Sequence, residues 1–256
     1  MMYALADIWY QSVRHLRTQL RMPVWIFVNL FQPMVWLVLF TQVFKSLSDM
    51  PGLGGVSYLT FLAPGIVVMT VLFGSAWAGM GLLRDIDMGI LSKMLATPVS
   101  RVSIILSRVF ASMVVLVVQA LIILLVAVIM GVDIAAGIPG VLLIIVLVSL
   151  LGLGFAAFSN GLAITLKRME PLIGIINFVA LPTVFMSSTM MAPDLLPGWL
   201  DTVRHFNPVD YAVVGVRGLV LTGYVWSDLW RSLTVLSGWA ALGALFGLLM
   251  FRRKGE

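Results

Sequence analysis

Cysteine is absent from the 256 residues, so a disulfide, a thiolate metal site and a cysteine nucleophile are all excluded. Charge is scarce: 11% of residues are Asp, Glu, Lys or Arg, against roughly a quarter in soluble domains. Histidine occurs only at His15 and His205, which the topology read below places on opposite sides of a membrane, where they cannot share a metal. No GxxxxGK[ST] occurs, so the chain does not cradle nucleotide phosphates in the P-loop manner. No serine has histidine and acid partners at its own depth, which argues against an intramembrane hydrolase. The long apolar runs carry almost no ionisable residues at their centres. Proton- and ion-coupled transporters place relays and ion ligands there, so any pumping must draw its energy from a partner.

What remains is apolar. Hydrophobic residues make up 61% of the chain and the mean hydropathy is +1.08, the composition of an integral membrane protein. The start does not read as a cleavable signal peptide, because the first long apolar run begins only after Arg21 and no small-residue site precedes it. Six apolar segments are long enough for about 30 Å of hydrocarbon, at residues 23–44, 58–83, 102–130, 138–166, 172–191 and 229–251. With both termini on the inner side, twelve Lys/Arg lie inside and four outside (Lys45, Arg204, Arg217, Arg231), so the termini are expected to be cytoplasmic. The fold class expected is all-α and integral to the membrane, in one domain over residues 1–256.

Ahead of the first span, residues 1–22 form an interfacial helix. Leu5, Trp9, Val13, Leu16 and Leu20 make one apolar stripe, with Arg14, Arg17 and Arg21 on its flank, which suits the headgroup layer. Between spans two and three, Ile86, Ile90 and Met94 recur every four residues and predict a short amphipathic inner helix, charged by Arg84, Asp85, Asp87 and Lys93. Thr97-Pro98 ends it, since the residue before proline is pushed out of the α region. Such a helix is shaped to grip a partner at the membrane surface. Between spans five and six, residues 192–228 are too long for a turn. Asn207 is a good N-cap and Pro208 a good first residue for a second short helix, re-entrant or on the outer face and packed by Trp199 and Tyr211. Arg217 in that helix can pair with Asp210 across two turns or point toward the exit of a pathway, and pairing is the expectation.

The polar groups within the spans are weak: Gln32, Gln42, Gln119, Asn160, Asn177, Thr183 and Ser187. An internal cavity is therefore expected to be apolar and adaptable, walled by Phe73, Trp77, Met80, Phe178, Phe185, Met186 and Met190, with Asn177 among them. Gly152-Leu153-Gly154 looks on paper like a dinucleotide fingerprint, but inside an apolar span it reads as a helix-packing surface. Gly243 and Gly247 fit the small-xxx-small pattern and predict close packing of the last span.

Three stretches, taken together and in order, resemble one family: FLAPGIVVMTVLFG (61–74), LRDIDMGILSKMLATPVSR (83–101) and LPGWLDTVRHFNPVDYAVVGVRGLV (196–220). They are similar to the ABC-2 permeases of ABC transporters, and within these most resemble the daunorubicin-resistance and nodulation-factor export subunits. The resemblance implies six spans per subunit, a dimer of permeases, and two copies of a separate nucleotide-binding subunit that carries the ATP and magnesium; this chain would bind no cofactor and catalyse nothing itself. It places the contact with that subunit at Arg84, Asp85, Asp87, Gly89, Lys93, Thr97 and Pro98, where Asp85, Asp87 and Gly89 fall on the family's acid-x-acid-x-Gly positions. Asn207, Pro208 and Arg217 match recurring positions of the outer re-entrant helices. The expected function is export of hydrophobic or amphipathic small molecules, drug-like or lipid-like, across a bacterial inner membrane. The family also holds permeases for lipid-linked glycans of the O-antigen or teichoic-acid type, whose N-terminal segments are usually more basic than the three-arginine flank here. A non-transporting structural subunit would have no need of an amphipathic inner loop.

Overall fold

The computed structural model describes residues 2–21, 23–44, 56–96 and 101–254, and among these every regular element is helical. The helices are α1 (Met2–Leu20), α2 (Pro23–Val43), α3 (Tyr58–Ala76), α4 (Ala78–Asp87), α5 (Ile90–Leu95), α6 (Arg101–Ile129), α7 (Gly137–Leu166), α8 (Met169–Phe185), α9 (Gly198–Arg204), α10 (Pro208–Leu221) and α11 (Trp226–Lys254). Four of the described helical segments are long and apolar enough to cross a membrane: Tyr58–Asp87, Val102–Ile129, Gly137–Leu166 and Trp226–Arg252. Two shorter apolar helices, Phe27–Val43 and Met169–Phe185, accompany them. A chain that must satisfy its backbone without water has little choice but helix, and helix is what these apolar runs form.

α3 is the core helix. Its side chains are buried nearly all round, Leu62, Ile66 and Leu72 completely, between α2, α6, α7, α8 and α10. Ser57 caps its start, the hydroxyl accepting from Thr60 N at 3.2 Å. The expected second span is broken at Trp77, where α3 gives way to α4. Ser159 of α7 fills the break, donating to Ala76 O and accepting from Gly79 N at 3.0 Å. A β-carbon at Gly79 would collide with Ser159, so the close approach needs glycine.

α11 packs along α7 more extensively than any other pair of elements. The seam is built from small residues, Gly154, Gly243 and Gly247 among those singled out above: Gly243 lies on the Gly154 backbone, Gly247 on Ala157, and Gly161 under Phe246. Phe155 and Trp239 pack ring on ring beside it, centroids 4.7 Å apart. Large apolar side chains on α2, α6, α8 and α11 point away from the bundle, among them Phe27, Leu125, Phe178 and Leu242. That is the surface expected of helices whose solvent is hydrocarbon.

Candidate functional site

The charged corner begins where α4 ends. Gly89 takes the left-handed conformation (φ 66°), so Ile86 and Ile90 fall in two helices, α4 and α5, rather than on one continuous face. This corrects the sequence expectation: the four-residue recurrence is real, but the glycine bends the chain through its middle. Ile86, Leu91 and Met94 still turn inward and pack on the core. Asp85 also turns inward, forming an ion pair with Arg108 of α6, while Arg14 of α1 stands 3.8 Å from the same carboxylate. Arg108 is 7% exposed. Arg14 further donates to Met94 Sδ at 3.2 Å, so one α1 arginine touches both α4 and α5. Next to this node Ser12 donates to Ser107 O, and Ser107 to Gln11 Oε1, each at 3.2 Å, fastening α1 to α6. Burial, then the positive charges of Arg108 and Arg14, pulls the His15 imidazole down to a pKa of about 3, so it sits neutral in the joint. Arg84, Asp87 and Lys93 are exposed and Gly89 is half-buried. Thr97 and Pro98 lie outside the described residues.

A cavity of about 320 Å³ opens between α2, α3, α6 and α8. Each helix contributes a single face: Asn29, Gln32, Pro33 and Trp36 from α2, and Ile66, Met69, Thr70 and Phe73 from α3, both at spacing i, i+3, i+4, i+7. Gly74, Trp77, Gln119 of α6, Asn177, Leu181, Val184 and Phe185 of α8, and Met190 beyond it complete the lining. Its polar groups are amides and one hydroxyl; among the described residues no ionisable side chain lines it. Five of the expected cavity residues, Phe73, Trp77, Asn177, Phe185 and Met190, meet here. Met80, Phe178 and Met186 do not: Phe178 is 81% exposed, because the residue after Asn177 points about 100° further round α8.

Beyond this cavity α8 stops at Phe185, six residues short of the expected end of span five, and the chain from Met186 folds back under α10. Asn207 joins the two helix ends. Its Oδ1 accepts from Val209 N at 3.0 Å, the cap expected, and its Nδ2 donates to Thr183 O at 2.6 Å and Met186 O at 3.0 Å. Asp210 is buried and accepts from Ser188 N at 2.7 Å and from Arg204 at 3.1 Å. The pairing of Arg217 with Asp210 does not form. Arg217 instead donates to Phe61 O at 3.2 Å and Thr189 O at 3.1 Å, its guanidinium 3.8 Å from the Phe61 ring centroid. Seven residues along a helix are about 10 Å of rise, too far for the pair when Arg204 lies nearer. Trp199 stays exposed, while Tyr211 donates to His205 O.

The profile that defines ABC-2 type transporters matches residues 7–221. The chain belongs to the ABC-2 type transporter family. It is 30% identical over 233 residues to ycf38 of Porphyra purpurea, a transport permease by name, covering 90% of this chain and 79% of that one. The ycf38 protein of Cyanophora paradoxa is 33% identical over 214 residues, 81% of this chain and 72% of its own. The daunorubicin-resistance ABC transporter permease DrrB1 of Streptomyces coeruleorubidus is 23% identical over 233 residues, 91% and 81% of the two chains. An ABC-2 permease is a membrane transport subunit and not itself the ATPase, so this is a multi-pass membrane protein of an ABC transport system. For an ABC-2 permease, two groups of residues escaped sequence reasoning. Asn29, Trp36 and Thr70 were findable from the helical spacing of polar and aromatic residues on α2 and α3. Arg108 is one of the twelve inner Lys/Arg, and nothing local in the sequence marks it as buried against Asp85.

Proposed function

We propose that the chain is the membrane-spanning half of an ATP-driven exporter that moves hydrophobic or amphipathic small molecules outward from the cytoplasm or inner leaflet. The cavity carries this reading. Aromatic and methionine side chains wall it, neutral amides dot it, and it has room for a small ligand. Uncharged cargo needs no ion pair there, and a pathway so lined has no relay for proton or sodium coupling. Energy then comes from ATP and magnesium on a separate nucleotide-binding subunit, two copies per pair of permeases, docked at the α4–α5 corner where Arg84, Asp87 and Lys93 stand exposed. In this reading α2 and α8 complete six crossings, the twelve-to-four distribution of Lys/Arg supports cytoplasmic termini, and the membrane is a bacterial inner membrane.

The test is co-purification from native membranes with an ATPase assay of what accompanies the chain. A stoichiometric P-loop subunit, lost when residues 83–101 are scrambled and stimulated by lipophilic compounds, is the expected result. Asn177→Trp, which pushes an indole into the cavity, should abolish that stimulation while leaving basal hydrolysis intact. A chain that purifies alone would overturn the reading.

A further inference from the structure

α1 has a face that neither the bundle nor the cavity uses. Gln11, Ser12 and His15 turn toward α6, with hydrogen bonds to Ser107. On the far side Trp9, Tyr10, Val13, Arg14, Arg17, Thr18 and Arg21 line one shallow groove. Trp9 is 61% exposed and Tyr10 73%. Two stripes run along this side. Trp9, Val13, Leu16 and Leu20, at spacings of four, three and four, are apolar; Arg14, Arg17 and Arg21, at three and four, are basic. Among the described residues no carboxylate comes within ion-pair distance of Arg17 or Arg21, Asp7 of the same helix included. Only Arg14 is partly engaged, with Asp85.

We infer that this face is a binding site for the phosphodiester headgroups of anionic phospholipid. Charge complementarity names the ligand: three guanidiniums on one strip, two of them unpaired, suit phosphate oxygens in a forked geometry. The neighbouring stripe names its source. A soluble phosphate has no use for an exposed tryptophan and an exposed Leu20, whereas a phospholipid offers glycerol and acyl carbons beside its phosphate. Position agrees, since α1 ends at Leu20 and the apolar α2 begins at Pro23, which brings Arg21 to the membrane boundary. A bound headgroup would also hold α1 in place, and α1 reaches the α4–α5 corner through Arg14.

The inference can be tested on the full chain alone, without an ATPase partner, so its failure is distinct from failure of the exporter reading. The chain is placed in phosphatidylcholine nanodiscs, and dibrominated phosphatidylglycerol or dibrominated phosphatidylcholine is titrated in while tryptophan emission is followed. A Trp9→Phe variant identifies the Trp9 component. Phosphatidylglycerol should quench Trp9 at far lower mole fraction than phosphatidylcholine. Arg17→Gln/Arg21→Gln, both exposed and expected to leave the melting temperature unchanged, should lower that preference roughly thirtyfold, at about fivefold for each arginine near an anionic surface. Half-molar salt should weaken the preference in the wild type, and inorganic phosphate at low millimolar concentration should not. Equal quenching by the two lipids, or a preference that survives the double variant, overturns the inference. So does a double variant that keeps its lipid preference but loses a co-purifying ATPase subunit, which would give the face to a protein.

Discussion

Asn207 shows how much one side chain can hold. Its carbonyl oxygen caps α10, and its amide nitrogen closes two carbonyls that α8 leaves open when it stops at Phe185. Asn207 is buried, and an unsatisfied buried acceptor costs about 1–3 kcal/mol. Asn207→Ala should therefore lose the cap, worth about 1 kcal/mol, and both carbonyl bonds besides, for a total of about 3 kcal/mol or more. Asn207→Asp separates the two roles: it keeps the acceptor for Val209 N and sets a carboxylate against two carbonyls. It should be no more stable than the alanine variant. Thermal unfolding in detergent, with hydrogen exchange read over α10, checks both; an aspartate variant close to wild type would mean the bonds to α8 contribute little. Arg217 follows the same logic. A buried guanidinium with five donors is matched to main-chain oxygens from two segments, so its role is to join Phe61 and Thr189 across α10.

At the scale of helices, the α7–α11 seam depends on the absence of side chains at a few points. A β-carbon at Gly243 would stand 2.8 Å from Gly154 Cα, and one at Gly247 2.8 Å from Ala157 O. Both neighbours are backbone and cannot swing aside. Gly238, on the same helix, has nothing within 4 Å. Gly243→Ala and Gly247→Ala should each cost about 1–3 kcal/mol by forcing the helices apart, while Gly238→Ala should gain up to about 1 kcal/mol of helix propensity. Melting temperatures of the three variants decide it, and equal losses at all three would mean that the seam is not tight. The Gly243/Gly247 spacing makes this seam legible in the sequence, as Asn207-Pro208 makes the start of α10. The breaks were harder to read. The division of α3 from α4 at Trp77 needs Ser159, which comes eighty-two residues later. The early end of α8 needs Asn207, twenty-two residues beyond it. Local pattern does not carry such partners.

For the whole molecule, two neighbouring acids of the α4–α5 corner separate structure from function. The sequence places Asp85 and Asp87 together as surface charges, and only the fold tells them apart. Two residues along a helix are about 200° of rotation, so one can face the bundle when the other faces away. Asp85 meets Arg108 and Arg14 inside the joint of α1, α4 and α6, and is 15% exposed. Asp87 is exposed, with no ion pair among the described residues. Asp85→Asn leaves Arg108 buried without its counter-charge, a change worth about 3 kcal/mol or more. Its melting temperature should fall and α1 should exchange its amides faster, whether or not a partner is bound. Asp87→Lys should alter the melting temperature little, since surface changes stay within about 0.5 kcal/mol. If the corner is the docking surface proposed above, Asp87→Lys reverses the charge it offers to the nucleotide-binding subunit, and in the assembled transporter ATP hydrolysis should continue without transport. Both effects can be read on one preparation, by thermal unfolding of the permease and by the ratio of cargo moved to ATP hydrolysed in proteoliposomes. An Asp87→Lys transporter with an unchanged ratio would remove Asp87 from the contact.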